Sequence, residues 1–253
     1  MPVHLYGQMC DMKKMRKLAD KYNLKIIEDA AHCLEGIRDG VRPGELGDTA
    51  CFSFYATKSI TCGEGGAVIT NDEKIAEKIK KMRLHGLTKN ASERYNKKFA
   101  HWDVEMFGWK YNMDNIQAAL LLNQMQLIDA LWQKRENLYK YYVGLFKTVD
   151  TIELPKILIG VKHANHLFTI WVDAKKRDAM VDKLDKCGIP VQVNYRPIHL
   201  MSYFRKNFGY KNGDFPIAEK IGMSTITLPF YPKLKKTEAN HVAKGVEDVL
   251  NKK

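Results

Sequence analysis

Residues 50–70, ACFSFYATKSITCGEGGAVIT, constrain the fold of this chain more than any other stretch. Ala50–Tyr55 is an apolar run of strand length, and Gly66–Thr70 is a second. Between them stand one lysine, Lys58, and the glycines Gly63 and Gly65. Lysines ordinarily keep to solvated faces. A lysine between two buried strands, beside a glycine-rich turn, is either a plain loop residue next to a hairpin or a functional amine, and pattern alone leaves both open. Upstream, Lys25–His32 (KIIEDAAH) is a short apolar strand that ends in the carboxylate of Asp29, followed by small residues. In open α/β sheets the carboxyl ends of strands face ligands, which makes Asp29 a second candidate.

The flanking pattern predicts an α/β beginning. Pro2–Tyr6 reads as the tail of a strand, closed by Gly7. Asp11–Tyr22 places Met12, Met15, Leu18 and Ala19 at helical spacing with Asp11 as N-cap. Strand Lys25–Glu28 follows, and the strand–helix–strand alternation implies parallel pairing. Gly36–Gly47 is a turn-rich loop; Asn71 or Asp72 caps a helix that runs to about Leu84 and stops at His85-Gly86. Leu87–Met106 reads as a long loop. After Phe107–Asp114 the sequence is helical to about Lys147, far longer than a mean helix of about 12 residues. Ile116, Leu120, Leu127 and Leu131 share one face of it, enough for an interface. Past Pro155 the pattern changes: strand His166–Val172, helix Lys175–Cys187 ended by Gly188, strand Val191–Tyr195, a short helix holding Glu219, strand Ser224–Leu228, and a last helix Thr237–Leu250 capped at Thr237. These make a small α+β domain. The expected division is 1–112 as an α/β domain, 113–153 as a long connecting helix and 154–253 as the small domain.

Composition narrows the function classes. The chain has 253 residues and a net charge of +12. Its lysines are interleaved with Asp and Glu along the predicted helices, as in Asp72–Arg83, so the charge reads as a solvated surface rather than a nucleic-acid face. Such a surface would still attract a polyanionic substrate. Five cysteines, an odd number without a CxxC pair, suggest reduced thiols in a cytoplasmic protein and no metal site. No apolar run is long enough to span a bilayer.

EDAAH followed by GDTACFSFYATKSITCGEGGAVITND resembles the DegT/DnrJ/EryC1/StrS family of pyridoxal-phosphate (PLP) sugar aminotransferases, and the likeness runs from Pro2 to the C-terminus. The resemblance implies an α/β, type I aminotransferase fold with a small C-terminal α+β domain. It implies pyridoxal 5'-phosphate as cofactor, with Lys58 (the lysine of the FSFxxxK run) as the amine that binds it covalently and moves a proton during transfer. Asp29 matches the partner of the pyridine nitrogen, His32 a position near the ring's phenolic oxygen, and Ser53 a phosphate-binding serine. Asn112, in WKYNMDNIQAA, matches an asparagine that reaches the neighbouring subunit's phosphate in a homodimer with shared sites; an N-cap is its other reading. In VQVNYRPIHL, Tyr195 and His199 keep the pattern of a loop near the sugar, while Asn194 stands where many members have histidine. Arg196 reads as a surface arginine.

The implied reaction passes an amino group, usually from glutamate, to a keto-sugar nucleotide in cell-surface polysaccharide biosynthesis. Lys58 argues against the family's dehydratase branch, which carries histidine there. Members hold about one further domain's worth of chain before the PVHLYG segment, including a turn that binds the cofactor phosphate. The resemblance therefore implies an N-terminally truncated chain, an open sheet edge, weak cofactor binding by the chain as it stands, and rescue by a separate N-terminal segment. The alternative is a non-catalytic fragment, or one half of a split enzyme that binds a full-length partner.

Overall fold

The computed structural model describes residues 1–88 and 101–251. The chain divides into two compact units, Met1–Asp129 with Gly160–Ala164, and Ala130–Ile159 with Asn165–Lys253.

The first unit is built on strands β1 (Ile27–Asp29), β3 (Thr49–Ser53) and β4 (Gly66–Ile69), adjacent in that order, with β2 (Ile37–Arg38) standing outside that sheet. β1 runs parallel to β3, with Ile27 opposite Thr49 and Asp29 opposite Cys51; β4 returns antiparallel, from Ser53 opposite Gly66 to Ala50 opposite Ile69. The strand expected over Pro2–Tyr6 is reduced to one parallel bridge between Val3 and Asp29. The His4 N–H donates to the Asp29 carbonyl at 3.0 Å and the Asp29 N–H to the Pro2 carbonyl at 2.9 Å. The chain then turns through a 3-10 helix, Leu5–Gly7, where Tyr6 takes a φ of 58° that no strand allows.

α1 (Met12–Lys21) begins at its expected cap, the Asp11 carboxylate accepting from the Lys14 N–H at 3.1 Å. It buries Met12 and Ala19 against Met9, Ile26 and Cys33. β2 lies inside the turn-rich segment and pairs with β5 (Val161–Lys162), a partner too distant in sequence for any local signal to reveal. α2 (Glu73–Met82) is capped by Asp72, whose carboxylate takes the N–H groups of Lys74 and Ile75.

Just past α2 the Gly86 N–H donates back to the Lys81 carbonyl in the last turn at 3.0 Å, so the expected glycine does close it. Arg83 is the C-cap, and Gly86 sits at φ 75° where a Cβ would lie 1.8 Å from the Met106 carbonyl oxygen. Gly108 is confined in turn, since its Cβ would lie 2.3 Å from the Gly86 nitrogen. Two glycines thus let two backbone segments cross, and hydrogen bonds His85 N to Trp109 O, Glu105 N to Gly86 O and Thr88 N to Asp103 O hold the crossing at 2.9–3.0 Å. The loop expected over Leu87–Met106 has paired ends, and 89–100 lie outside the described residues.

The single helix expected over 113–147 is two helices, α3 (Asn115–Gln126) and α4 (Ile128–Phe146), which meet at Leu127. No proline or glycine marks the break. The last turn of α3 is tied down instead: the Gln124 amide accepts from the Thr61 N–H at 3.0 Å and donates to the Thr61 carbonyl at 2.7 Å. Asp114 caps α3, accepting from the Gln117 N–H at 2.7 Å, so Asn112 is not the N-cap.

The second unit packs helices on a two-stranded antiparallel sheet, β6 (Phe168–Trp171) with β7 (Thr225–Leu228). Single bridges from Glu153 to Trp171 and from Gln192 to Thr227 extend it, the latter being all that forms of the strand expected over Val191–Tyr195. The helices are the body of α4, α5 (Arg177–Lys186), α6 (Ser202–Phe208), α7 (Pro216–Ser224) and α8 (Lys236–Asn251). Leu138, Tyr142 and Phe146 of α4, Phe168 and Ile170 of β6, Leu184 of α5 and Val242 and Val246 of α8 form one core. Tyr142 stacks on Phe168 at 4.8 Å and donates its hydroxyl to the Pro229 carbonyl at 3.0 Å. α8 begins one residue before Thr237, which is therefore inside the first turn. Glu238 closes that end, accepting from the Lys235 N–H at 2.7 Å.

Candidate active site

The pairing of β1 with β3 decides which side chains meet. Opposed residues of paired strands share a face, and so do residues two apart. Asp29, Cys51 and Ser53 therefore stand on one face at one end of the sheet. Glu28, between them in register, turns the other way and is fully buried. The Asp29 carboxylate accepts from the Ala31 N–H at 3.1 Å, which fixes one of its oxygens.

Lys58 lies in the loop from β3 to β4. That loop is anchored at both ends: the Phe54 N–H donates to the Gly65 carbonyl at 2.8 Å, and the Cys62 N–H to the Phe54 carbonyl at 3.0 Å. Phe54, Ile60 and Cys62 are buried beneath it. Gly63 takes a φ of 86°, and a Cβ on Gly66 would lie 2.8 Å from the Phe52 carbonyl oxygen, so neither position accepts a larger residue without strain. Lys58 itself closes a turn, its N–H donating to the Tyr55 carbonyl at 2.9 Å. The glycines that flank it in sequence are the means by which a lysine is held half-buried.

The structure brings Lys58, Asp29 and His32 within electrostatic reach of one another. Burial pushes the Lys58 amine below its ordinary pKa, and the Asp29 carboxylate offsets part of that. Burial pushes His32 down to about 4; the Lys58 cation adds to the effect and Asp29 opposes it. His32 is thus neutral at pH 7. Its Nδ1 accepts from the Tyr6 N–H at 3.3 Å, which leaves the ring proton on Nε2 and makes that atom a donor. The left-handed Tyr6 conformation is what aims this N–H at the ring.

The other candidates are placed as follows. Ser53 is half-buried, and its hydroxyl accepts from the Tyr55 N–H at 3.3 Å. Asn112 is half-buried with its side-chain oxygen taken by the Lys110 amine. In the second unit Tyr195 is 45% exposed. His199 is buried: its Nε2 meets the Glu219 carboxylate at 2.9 Å and its ring packs edge-on against Phe215 at 4.8 Å. A groove of about 930 Å3 runs between β4 and α2, with Cys51, Ile69, Ile79 and Trp109 among its walls; none of the candidate residues lines it.

Sequence reasoning missed the support beneath Asp29. His4 and Glu28 are both fully buried and meet at 2.8 Å. The second Glu28 oxygen accepts from the Gly44 N–H at 3.1 Å, and His4 Nδ1 accepts from the Cys10 N–H at 3.2 Å. A Cβ on Gly47 would lie 2.4 Å from Glu28 Oε1. The signal was the carboxylate pair Glu28-Asp29 at the end of an apolar strand: alternation sends one of them into the interior, where it needs a partner.

A model of the DegT/DnrJ/EryC1/StrS aminotransferase family matches residues 1–247. An uncharacterised protein from Methanocaldococcus jannaschii is 40% identical over 255 residues, covering 99% of this chain and 66% of that protein. GDP-perosamine synthase from Caulobacter vibrioides is 33% identical over 254 residues, covering 99% of this chain and 65% of the enzyme. Among solved structures, PseC from Helicobacter pylori, an aminotransferase in pseudaminic acid biosynthesis, superposes with a TM-score of 0.89 at 30% identity, over 98% of this chain and 65% of that one. The chain has the fold of these aminotransferases and spans a little under two thirds of their length.

Proposed function

The chain belongs to the DegT/DnrJ/EryC1/StrS aminotransferase family, and from that membership we propose that it serves a PLP-dependent transfer of an amino group, from glutamate, to a keto-sugar nucleotide. The observation that carries the reading is the meeting of Lys58, Asp29 and His32 at the end of β1. The donor set fits pyridoxal phosphate: an amine of lowered basicity for its aldehyde, a carboxylate for its ring nitrogen and a neutral imidazole with a donor Nε2 for its phenolic oxygen. When bound, the cofactor's protonated ring draws electrons from the substrate carbon and so allows its C–H bond to break.

Each residue's part follows from its position. Lys58 Nζ anchors the cofactor and, once released, carries a proton to and from the substrate carbon, a task that suits an amine whose pKa is lowered towards the working pH. Asp29 keeps the ring nitrogen protonated, held at its own angle by Ala31 and from behind by the buried His4–Glu28 pair. His32 Nε2 donates without adding a charge. Ser53 offers a hydroxyl to the phosphate. Tyr195 is the sugar contact, and His199 supports its loop through Glu219. The five unbridged cysteines support a cytoplasmic setting.

α3 supports a homodimer in which Asn112 serves the partner's site. Its apolar positions Ile116 and Leu120 are 79% and 55% exposed, and Leu127 just past it 54%. Sedimentation should give a dimer, and a monomer with a complete cofactor site would overturn that part.

Titration with pyridoxal phosphate tests the reading. With a separate N-terminal segment of a full-length relative supplied, the expected result is a visible absorbance band that borohydride bleaches and glutamate-dependent amination of a keto-sugar nucleotide, both weak without the segment and both lost in Lys58→Ala. Retention of band and turnover by Lys58→Ala would sink the assignment.

A further inference from the structure

Tyr6 is a backbone outlier beside the candidate site. It stands at φ 58°, a region that bulky side chains seldom enter and that persists only where neighbouring contacts over-determine it. Gly7 follows at φ 107°, so two successive residues of positive φ turn the chain between the sheet and α1.

Contacts on both sides hold this turn. Before it, His4 is locked by its ring and by its backbone. Its Nε2 meets Glu28 Oε2 at 2.8 Å, its Nδ1 accepts from the Cys10 N–H at 3.2 Å, and its own N–H donates to the Asp29 carbonyl at 3.0 Å. Glu28 is fixed in turn by the Gly44 N–H at 3.1 Å. Both side chains are fully buried, so no water competes for their pairing. The His4 carbonyl then accepts from the Gly7 N–H at 3.2 Å, which closes the turn around Tyr6. After it, the Gly7 carbonyl accepts from the Ala164 N–H at 2.9 Å and from the Cys33 thiol at 3.4 Å. What this clamp delivers is one N–H with a set aim, that of Tyr6, which donates to His32 Nδ1 at 3.3 Å. A neutral imidazole that accepts at Nδ1 carries its proton on Nε2.

We propose that His4 is a positioning residue for His32: tied to Glu28, it keeps Tyr6 left-handed and thereby fixes His32 in the tautomer whose Nε2 donates. The influence passes through a main-chain N–H, so the Tyr6 side chain is not its carrier. In the other tautomer Nε2 would turn a lone pair, not a proton, towards whatever oxygen the site receives. A His4 that only stabilised the sheet would leave the His32 tautomer unaffected when it was replaced. The control of the tautomer stands on these contacts alone; its use, a proton offered to the phenolic oxygen of the cofactor, rests on the aminotransferase reading above.

Nitrogen-15 NMR of the full chain with labelled histidine reads the tautomer directly at pH 7.5, where the His32 ring is neutral. Loss of its signals in His32→Gln assigns them. The wild type should show His32 protonated on Nε2 and not on Nδ1. His4→Gln keeps a donor for Glu28 and should retain that tautomer. His4→Phe fills the space without either ring hydrogen bond and should shift the tautomer ratio towards Nδ1–H by about fivefold, the worth of one ordinary hydrogen bond. Gln124→Ala weakens the same unit elsewhere and should leave the ratio unchanged. An unaltered ratio in folded His4→Phe, an equal shift in His4→Gln, or an Nδ1–H tautomer in the wild type would each overturn the proposal. Should His4→Phe lose its circular dichroism spectrum, Tyr6→Asn and Tyr6→Val replace it. Asparagine tolerates the left-handed region and should keep the tautomer, valine resists it and should lose it, and equal ratios in the two would refute the role of the turn. Pyridoxal-phosphate titration with the N-terminal segment supplied separates the two readings. If no cofactor band forms yet the tautomer results hold, the aminotransferase reading fails and the positioning role stands.

Discussion

Replacing His32 by glutamine isolates one titration and attaches a number to it. The ring is 9% exposed and lies near Lys58 and Asp29, with its pKa pushed from 6.5 to about 4 by burial first and the Lys58 cation second. A histidine whose folded value lies below its unfolded value is protonated first in the unfolded chain. Its stabilising contribution is whole above pH 6.5 and is lost as pH falls towards 4. With those two values, the loss is about 0.8 kcal/mol at pH 6 and about 2 kcal/mol at pH 5. These are upper figures, because the ring keeps some contact with water. Glutamine fills similar space and does not titrate, so the carboxylates cancel between the two proteins. Urea unfolding from pH 7.5 to 5 should show the wild type losing this much stability relative to His32→Gln. A difference that stays flat across that range, or an imidazole NMR titration with its midpoint at or above 6.5, would refute the account of the neutral donor.

Gln124→Ala removes the tie between α3 and Thr61 and leaves the Thr61 backbone groups without their partners, at a cost of about 1–3 kcal/mol; urea unfolding reads the loss, and hydrogen exchange should localise it to Thr61. Gly108→Ala should destabilise severely, because its Cβ meets the Gly86 backbone at 2.3 Å. Gly144→Ala should do the opposite by up to about 1 kcal/mol, since that glycine lies inside α4 with nothing within 4 Å of a new Cβ. Thermal melts of the pair separate the two. Asp72→Ala should cost about 1 kcal/mol by removing the cap of α2.

What was legible in the sequence was local. The caps Asp11 and Asp72 and the anchored lysine loop all follow from signals within a few residues of each other. What was not legible came from distant partners. β2 pairs with β5 from across the chain. α3 breaks from α4 where a side chain on α3 finds the backbone of Thr61. Glu28 looked like the lesser half of EDAAH because its partner, His4, is 24 residues upstream. Thr237 misled as a cap because Glu238 supplies the closing hydrogen bond instead. His199 fitted a loop pattern, and only the fold shows it facing Glu219 rather than outward.

The crossing of Gly86 and Gly108 has a consequence for mutation. It joins the ends of segment 89–102 through backbone hydrogen bonds that belong to the flanking chain, not to the segment itself. The crossing thus works as a clasp of backbone amides and carbonyls: a change of side chain at His85 leaves its bonds in place, while a single methyl group on Gly108 does not.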